Sequence, residues 1–343
     1  MEKRVLGRSG VHFSTLTLGA MAFGSMGNTD REDCVRIIHR ALDSGITVID
    51  TADVYSGGES EEIVGQALKG RRDDVVLATK SYNPMGRDPN RRGSSRRWIV
   101  QACEDSLRRL GTDHIDLYQL HRPDANTDIE DTLGALTDLV RQGKVRMIGS
   151  STFPAEAIVE AQWASERRGL ERLRSEQPPY SIFVRSIERD VLPTCERYGM
   201  GAIVWSPLNG GWLTGKYRRD APPPAGSRFD RSARGPWAVD SPGADRKLDL
   251  LPALESVAED SGTDLIGLSL AFTIAHPAVT STIIGPRTME QLDSQLAAAD
   301  LRLDDEALDR IDEIVPPGDT VSRTDIAYEP RQIRQAALRR VRS

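Results

Sequence analysis

The stretch VIDTADVYSGGESEEIVGQAL, residues 48–68, decides the fold. It opens as a short apolar run of the kind that forms a buried strand and closes as an amphipathic helix, with Ser60 placed as N-cap and a glutamate two residues on. A strand that passes through a glycine-bearing turn into a helix is one βα unit. An acid, Asp50, and a phenol, Tyr55, stand five residues apart where the strand leaves the core. That position calls for an explanation.

The unit recurs on both sides. Upstream, KRVLGRSGVHFST reads as a hairpin and TLTLGAMAFG, residues 15–24, as the first strand. DREDCVRIIHRALDSG follows as a helix, with Asp30 as N-cap and Gly45 at its stop. Downstream come DVVLATKS and SSRRWIVQACEDSLRRLG, IDLYQLH and DIEDTLGALTDLVRQGK, VRMIGSS and PAEAIVEAQWASERRG, RLRSEQPPY and SIERDVLPTCERYG. GAIVWSPL, a long insertion, TDLIGLSLAFTIAHP, VTSTIIGPR and TMEQLDSQLAAAD complete the series. Short continuous apolar runs are the mark of strands covered on both faces. Eight such runs alternating with helices in a chain of 343 residues predict an α/β fold, a closed (β/α)8 barrel, as a single domain with an N-terminal hairpin, a long loop after strand 7 and a tail over 316–343. A doubly wound open sheet is the alternative, but no GxGxxG follows the first strand.

Composition limits the functions open to such a chain. Hydrophobic residues are 38% and charged residues 28%, which suits a globular protein. No apolar run approaches a membrane span, and MEKRVLGRSG lacks an apolar signal core, so a cytoplasmic protein without a membrane partner is expected. The net charge of -6 argues against a nucleic-acid partner. Cys34, Cys103 and Cys195 are widely spaced and read as reduced thiols, with no metal site expected.

In a barrel of this kind the chemistry gathers at the C-terminal ends of the strands. Asp50 ends the second strand, with Tyr55 on the following loop; Lys80 ends the third and His121 the fourth. Singly, each has a structural reading: a loop cap, a rim aromatic, a solvated lysine, one histidine among five. Together they form a proton-handling set. A carboxylate keeps an ammonium charged, the ammonium lowers the pKa of the phenol, and the imidazole orients a carbonyl oxygen. Such a set stabilises an oxygen that turns negative while its carbon is attacked.

With these residues in place, the sequence resembles the aldo-keto reductases over residues 1–315, closest to the branch holding the potassium-channel β subunits and related bacterial reductases. VIDTADVYSGGESEEIVGQAL, VVLATK and YQLHRPD carry the likeness. It implies a catalytic tetrad of Asp50, Tyr55, Lys80 and His121 with Tyr55 as general acid. It also implies NADPH as cofactor, along a path that takes in Gly19, Met21 and Asp50. GSST is similar to a Gly-x-Ser-Asn turn and contributes Ser151, with Thr152 where asparagine is usual; SEQPPYS contributes Gln177. WSPLNGGWLTGKY offers Trp205 to the nicotinamide and Ser206, Pro207, Leu208, Gly210 and Lys216 to the pyrophosphate. IIGPRTMEQLDSQ supplies Gly285, Arg287 and Gln291 at the adenosine, with Gln295 replacing an asparagine. Arg287, Lys216 and Arg228 are cations suited to a 2′-phosphate.

Two loops on the catalytic side are rich in arginine, PMGRDPNRRGSSRR and RRDAPPPAGSRFDRSAR, five arginines in each. They raise the expectation of an anionic carbonyl substrate, such as a sugar phosphate or a nucleotide-linked keto sugar. The alternative function is a redox-sensing subunit that holds NADPH with slow turnover. A metal-dependent barrel enzyme ranks below both, for want of a ligand cluster in the sequence. No role is assigned to the arginine-rich end of the tail.

Overall fold

A computed structural model describes the chain except for residues 220, 226, 228–241, 331, 332, 334 and 341–343. Eight parallel strands close into a barrel: β3 (Leu16–Gly19), β4 (Val48–Asp50), β5 (Val76–Ser81), β6 (Ile115–Leu120), β7 (Val145–Ser151), β8 (Leu173–Gln177), β9 (Gly201–Val204) and β10 (Val279–Ile284). β10 pairs back onto β3, with Thr282 opposite Leu16, which closes the ring. The barrel expected from the repeat is the fold observed.

Helices α1 (Arg31–Asp43), α2 (Glu59–Ala67), α3 (Arg96–Leu110), α4 (Ile129–Arg141), α5 (Ala155–Arg168) and α6 (Val191–Tyr198) follow successive strands. After the incompletely described insertion come α7 (Ala244–Asp260), α8 (Leu265–Ala275), α9 (Met289–Leu296) and α10 (Asp305–Ile314). Asp30 caps α1 as expected, its side chain accepting from Asp33 N. Ser60 does not cap α2. The cap is Gly58, in the left-handed region at φ 105°, where a Cβ would press on Arg109 Cδ at 2.7 Å. Ser60 lies buried inside the first turn instead, donating to Ala20 O and meeting Thr51 Oγ1, so it pins α2 to the ends of two strands.

Two apolar layers position the site. The larger fills the space between strands and helices. The smaller lies inside the barrel, where Val48, Ala78, Leu117, Ile203 and Ile283 meet Leu6 and Phe13. Leu6 and Phe13 belong to the N-terminal hairpin segment of β1 (Lys3–Val5) and β2 (His12–Ser14), which plugs the lower end. Above this layer, at the C-terminal ends of the strands, the inward positions pass to polar and charged side chains such as Asp50, Lys80, Gln119 and Gln177.

Candidate active site

Strand register brings the charged residues together. Gly19 on β3 lies opposite Asp50 on β4, Asp50 opposite Ala78 on β5, and Lys80 opposite Gln119 on β6. Side chains two apart share a face of a strand, so Ala78 and Lys80 both point inward. Lys80 Nζ donates to Asp50 Oδ2 at 2.5 Å, to Thr51 O at 2.8 Å and to Tyr55 Oη at 3.3 Å. The other carboxylate oxygen, Oδ1, accepts from Gln177 Nε2 at 2.7 Å and Gln119 Nε2 at 3.2 Å. Asp50 and Lys80 are both buried. Removing either partner of such a pair leaves a naked charge, at a cost of roughly 3–5 kcal/mol.

The Tyr55 and His121 rings meet edge to face, with centroids 5.7 Å apart. Asn83 Nδ2 lies 3.1 Å from His121 Nδ1. An amide nitrogen only donates, so Nδ1 accepts and the ring proton resides on Nε2. Burial, then Lys80 and Arg122, hold the imidazole well below its usual pKa, and the ring is neutral. Lys80 is pulled down by burial, but Asp50 and Tyr55 outweigh this and raise its pKa, so it stays charged. The phenol departs from expectation. Lys80 does pull its pKa down, but burial pushes harder, and the net direction is up. Tyr55 therefore keeps its proton at neutral pH, as a donor must.

The segments expected to meet a cofactor line the same mouth. Ser151 lies opposite Gln177 and donates to its carbonyl at 2.9 Å, while Trp205 Nε1 donates to the same carbonyl at 3.1 Å. Gly210 N donates to Ser206 Oγ at 3.2 Å, with Pro207 and Leu208 between them in the chain. Thr152, Ser206 and Asn209 hold positive φ of 61°, 61° and 46°, a conformation non-glycine residues seldom adopt outside constrained sites. At the far end Gln291 Oε1 accepts from Arg287 N at 2.9 Å, and Thr288 caps α9. Among the described residues, a Cβ at Gly285 would meet nothing within 4 Å, and the buried Gln295 Oε1 has no hydrogen-bond partner. Open space at Gly285 and an orphaned acceptor nearby in the chain fit a nucleotide at this end. Met21 is exposed beyond β3. Lys216 Nζ lies over the Tyr217 ring at 5.2 Å. Arg228 lies outside the described residues.

The arginine loops do not all face the mouth. Arg91 pairs with Asp105, and Arg96 with Asp138. Arg218 pairs with Glu255, and Arg219 with Asp245 and Asp249, while most of the second loop lies outside the described residues. An arginine that does stand in the mouth is Arg122 of YQLHRPD, a residue to which the sequence assigned no role. Arg122 Nη1 donates to Thr152 Oγ1 at 2.7 Å and to His121 O at 2.8 Å, and its guanidinium lies 5.9 Å from the Trp205 ring centroid. Gln119 and Asn83 were also missed. Gln119 was legible, since it lies two residues before His121 on the same strand face; Asn83, on a loop, carried no such signal.

The aldo/keto reductase family profile matches residues 15–316. An uncharacterized oxidoreductase of Bacillus subtilis, YrpG, is 39% identical over 331 residues, covering 93% of this chain and 97% of that protein. A probable voltage-gated potassium channel subunit beta of Arabidopsis thaliana is 36% identical, covering 92% and 97%. Versiconal hemiacetal acetate reductase of Aspergillus parasiticus is 32% identical, covering 92% and 98%. The barrel and its charged mouth thus define a nicotinamide-dependent oxidoreductase for small carbonyl compounds. The chain belongs to the aldo/keto reductase family. Among the described residues, no helix is long and apolar enough to cross a membrane.

Proposed function

We propose that this protein reduces an aldehyde or ketone to an alcohol with NADPH, and that Tyr55 is the general acid. The observation that carries the reading is one ammonium, Lys80, set 2.5 Å from a buried carboxylate and 3.3 Å from a phenol oxygen. When bound, the nicotinamide supplies a hydride to the carbonyl carbon. The protein's own part is the oxygen. His121 presents Nε2–H as a donor, and Tyr55 gives up its proton as negative charge develops on that oxygen. Lys80 stabilises the phenolate left behind, and Asp50 holds Lys80 charged and in place. Gln177 and Gln119 fix the Asp50 carboxylate, and Trp205, Ser151 and Thr152 edge the nicotinamide site.

NADPH rather than NADH is favoured by Arg287 at the start of α9, where a helix N-terminus already attracts phosphate, and by Lys216. The substrate is read as anionic, a sugar phosphate or nucleotide-linked keto sugar being examples. The test is loss of NADPH absorbance with a panel of aldehydes. Tyr55→Phe is expected to lower kcat by about 10²–10⁴-fold; a variant that matches the wild type removes Tyr55 from the chemistry. A second reading, a regulatory subunit that holds NADPH with slow turnover, draws on the relative named as a channel subunit. It predicts tight NADPH retention and no appreciable turnover on any carbonyl. His121 packed against Tyr55 favours the reductase.

A further inference from the structure

We propose that Arg122 is the receptor for an oxyanion, a carboxylate or a phosphate, on the carbonyl substrate. This rests on the reductase reading above and names the group that would read its substrate's charge. The inference begins from an inventory of donors. A guanidinium has five N–H groups in a planar fork. In Arg122, Nη1 alone is engaged, by His121 O and Thr152 Oγ1. These two bonds fix the plane of the group, because one acceptor is backbone and the other belongs to a buried residue at positive φ. Nε and Nη2 make no hydrogen bond among the described residues. Together they form the edge that meets two oxygens of one anion side by side.

Among the described residues no carboxylate takes that edge. Glu176 is the acid that acts on Arg122 electrostatically, but its oxygens accept from Ser150 Oγ and Phe153 N instead. Desolvation of a group usually met by water makes its charge more effective toward whatever arrives. The place is also right. Arg122 directly follows His121, lies over the Trp205 ring, and is close enough to Tyr55 for each to act on the other's titration. An anion held there belongs to a molecule whose carbonyl is one short linker away, at Tyr55 and His121. The paired loop arginines already described face protein acids, so this guanidinium offers a charge that they do not.

The experiment uses matched probes on the full chain. Steady-state kinetics compares 4-formylbenzoate with 4-formylbenzamide, and glyceraldehyde 3-phosphate with glyceraldehyde. Calorimetry of benzoate and benzamide against the NADP+-loaded protein reads binding without turnover. The wild type is expected to prefer one or both charged partners, and Arg122→Gln to reduce that preference about 30–100-fold, the loss of a partly buried charge pair. Arg122→Lys, which keeps the charge but loses the fork, should fall between the two. The stronger preference assigns the anion: carboxylate if the benzoate pair leads, phosphate if the glyceraldehyde pair does. Equal rates on charged and neutral partners in the wild type, or a ratio unchanged in Arg122→Gln, overturns the proposal. Benzoate binding that depends on Arg122, with no carbonyl turned over, retires the reductase reading and leaves the receptor standing.

Discussion

Lys80 and Lys247 both lie inside the protein, at 1% and 0% exposure, and each faces an aspartate. Lys80 meets Asp50 at 2.5 Å and Lys247 meets Asp325 at 2.6 Å. The surroundings separate them. Around the first pair, Tyr55, Thr51, Gln119 and Gln177 extend the network to the mouth. Around the second, Asn209 donates to Asp325 at 3.1 Å and the Lys247 ammonium lies over the Trp212 ring at 5.2 Å. The directions of titration follow. For Lys80 the carboxylate and phenol overcome burial and the pKa rises; for Lys247 burial wins and it falls. The first pair holds a charge ready beside a phenol. The second ties three distant pieces of chain together: the turn after β9, the helix α7 and the tail. A buried ion pair is thus no sign of catalysis in itself; what matters is whether a third, titratable group shares the ammonium.

Breaking each pair from one side should separate those roles. Lys80→Met removes the cation beside Tyr55 and is expected to lower kcat by about 10²–10⁴-fold, with lost stability as a second effect. Asp325→Ala should act in the opposite proportion. It strands a buried ammonium, at roughly 3–5 kcal/mol of stability, read from urea unfolding. It also frees the Asn209 turn, so KM for NADPH rises while kcat changes little. A fall in kcat as large as that of Lys80→Met would erase the distinction. The double variant Lys247→Met/Asp325→Leu sharpens it further. Apolar replacement of a buried pair is commonly neutral or stabilising, so stability should recover relative to Asp325→Ala. Asp50→Leu/Lys80→Met, by the same logic, regains stability but not turnover.

The two pairs also differ in how far the sequence reveals them. Asp50 and Lys80 sit at the ends of apolar runs, and period-2 alternation with the barrel rule places them at one mouth. Asp325 lies in a tail with no periodicity, and Lys247 lies in the first turn of a helix that follows a segment rich in Gly and Pro; nothing local joins residues so far apart. The same limit explains Arg122, whose neighbour Thr152 is reached only through the pairing of β6 and β7. It explains Ser60 as well, where N-cap preference was overruled by a glycine turn that Arg109 crowds. The direction of the Tyr55 shift was missed for another reason. A neighbouring charge can be read from residue types, but the weight of burial against it requires the packed structure.

A third buried acid shows what both pairs avoid. Asp53 is wholly inside, between the strand that carries Asp50 and the loop that carries Tyr55, and among the described residues no side chain hydrogen-bonds its carboxylate oxygens. Burial, with Glu61 nearby, pushes its pKa up to about 8 against the pull of Arg109. Glu61 itself is paired, with Arg109 Nε at 2.6 Å and Thr79 Oγ1 at 2.6 Å, so Arg109 is already committed. The unfolded chain releases the Asp53 proton near an ordinary pKa of about 3.9, whereas the folded chain keeps it to about 8. Between those values the folded state binds the extra proton, so this group makes stability fall as pH rises from about 4 to about 8. Asp53→Asn keeps the shape and removes the titration. Its stability relative to the wild type should therefore grow with pH across that window and level off above it, as read from urea midpoints at pH 5, 7 and 8.5. A constant offset between the two proteins at all three values would mean that Asp53 is ionised throughout in the folded state.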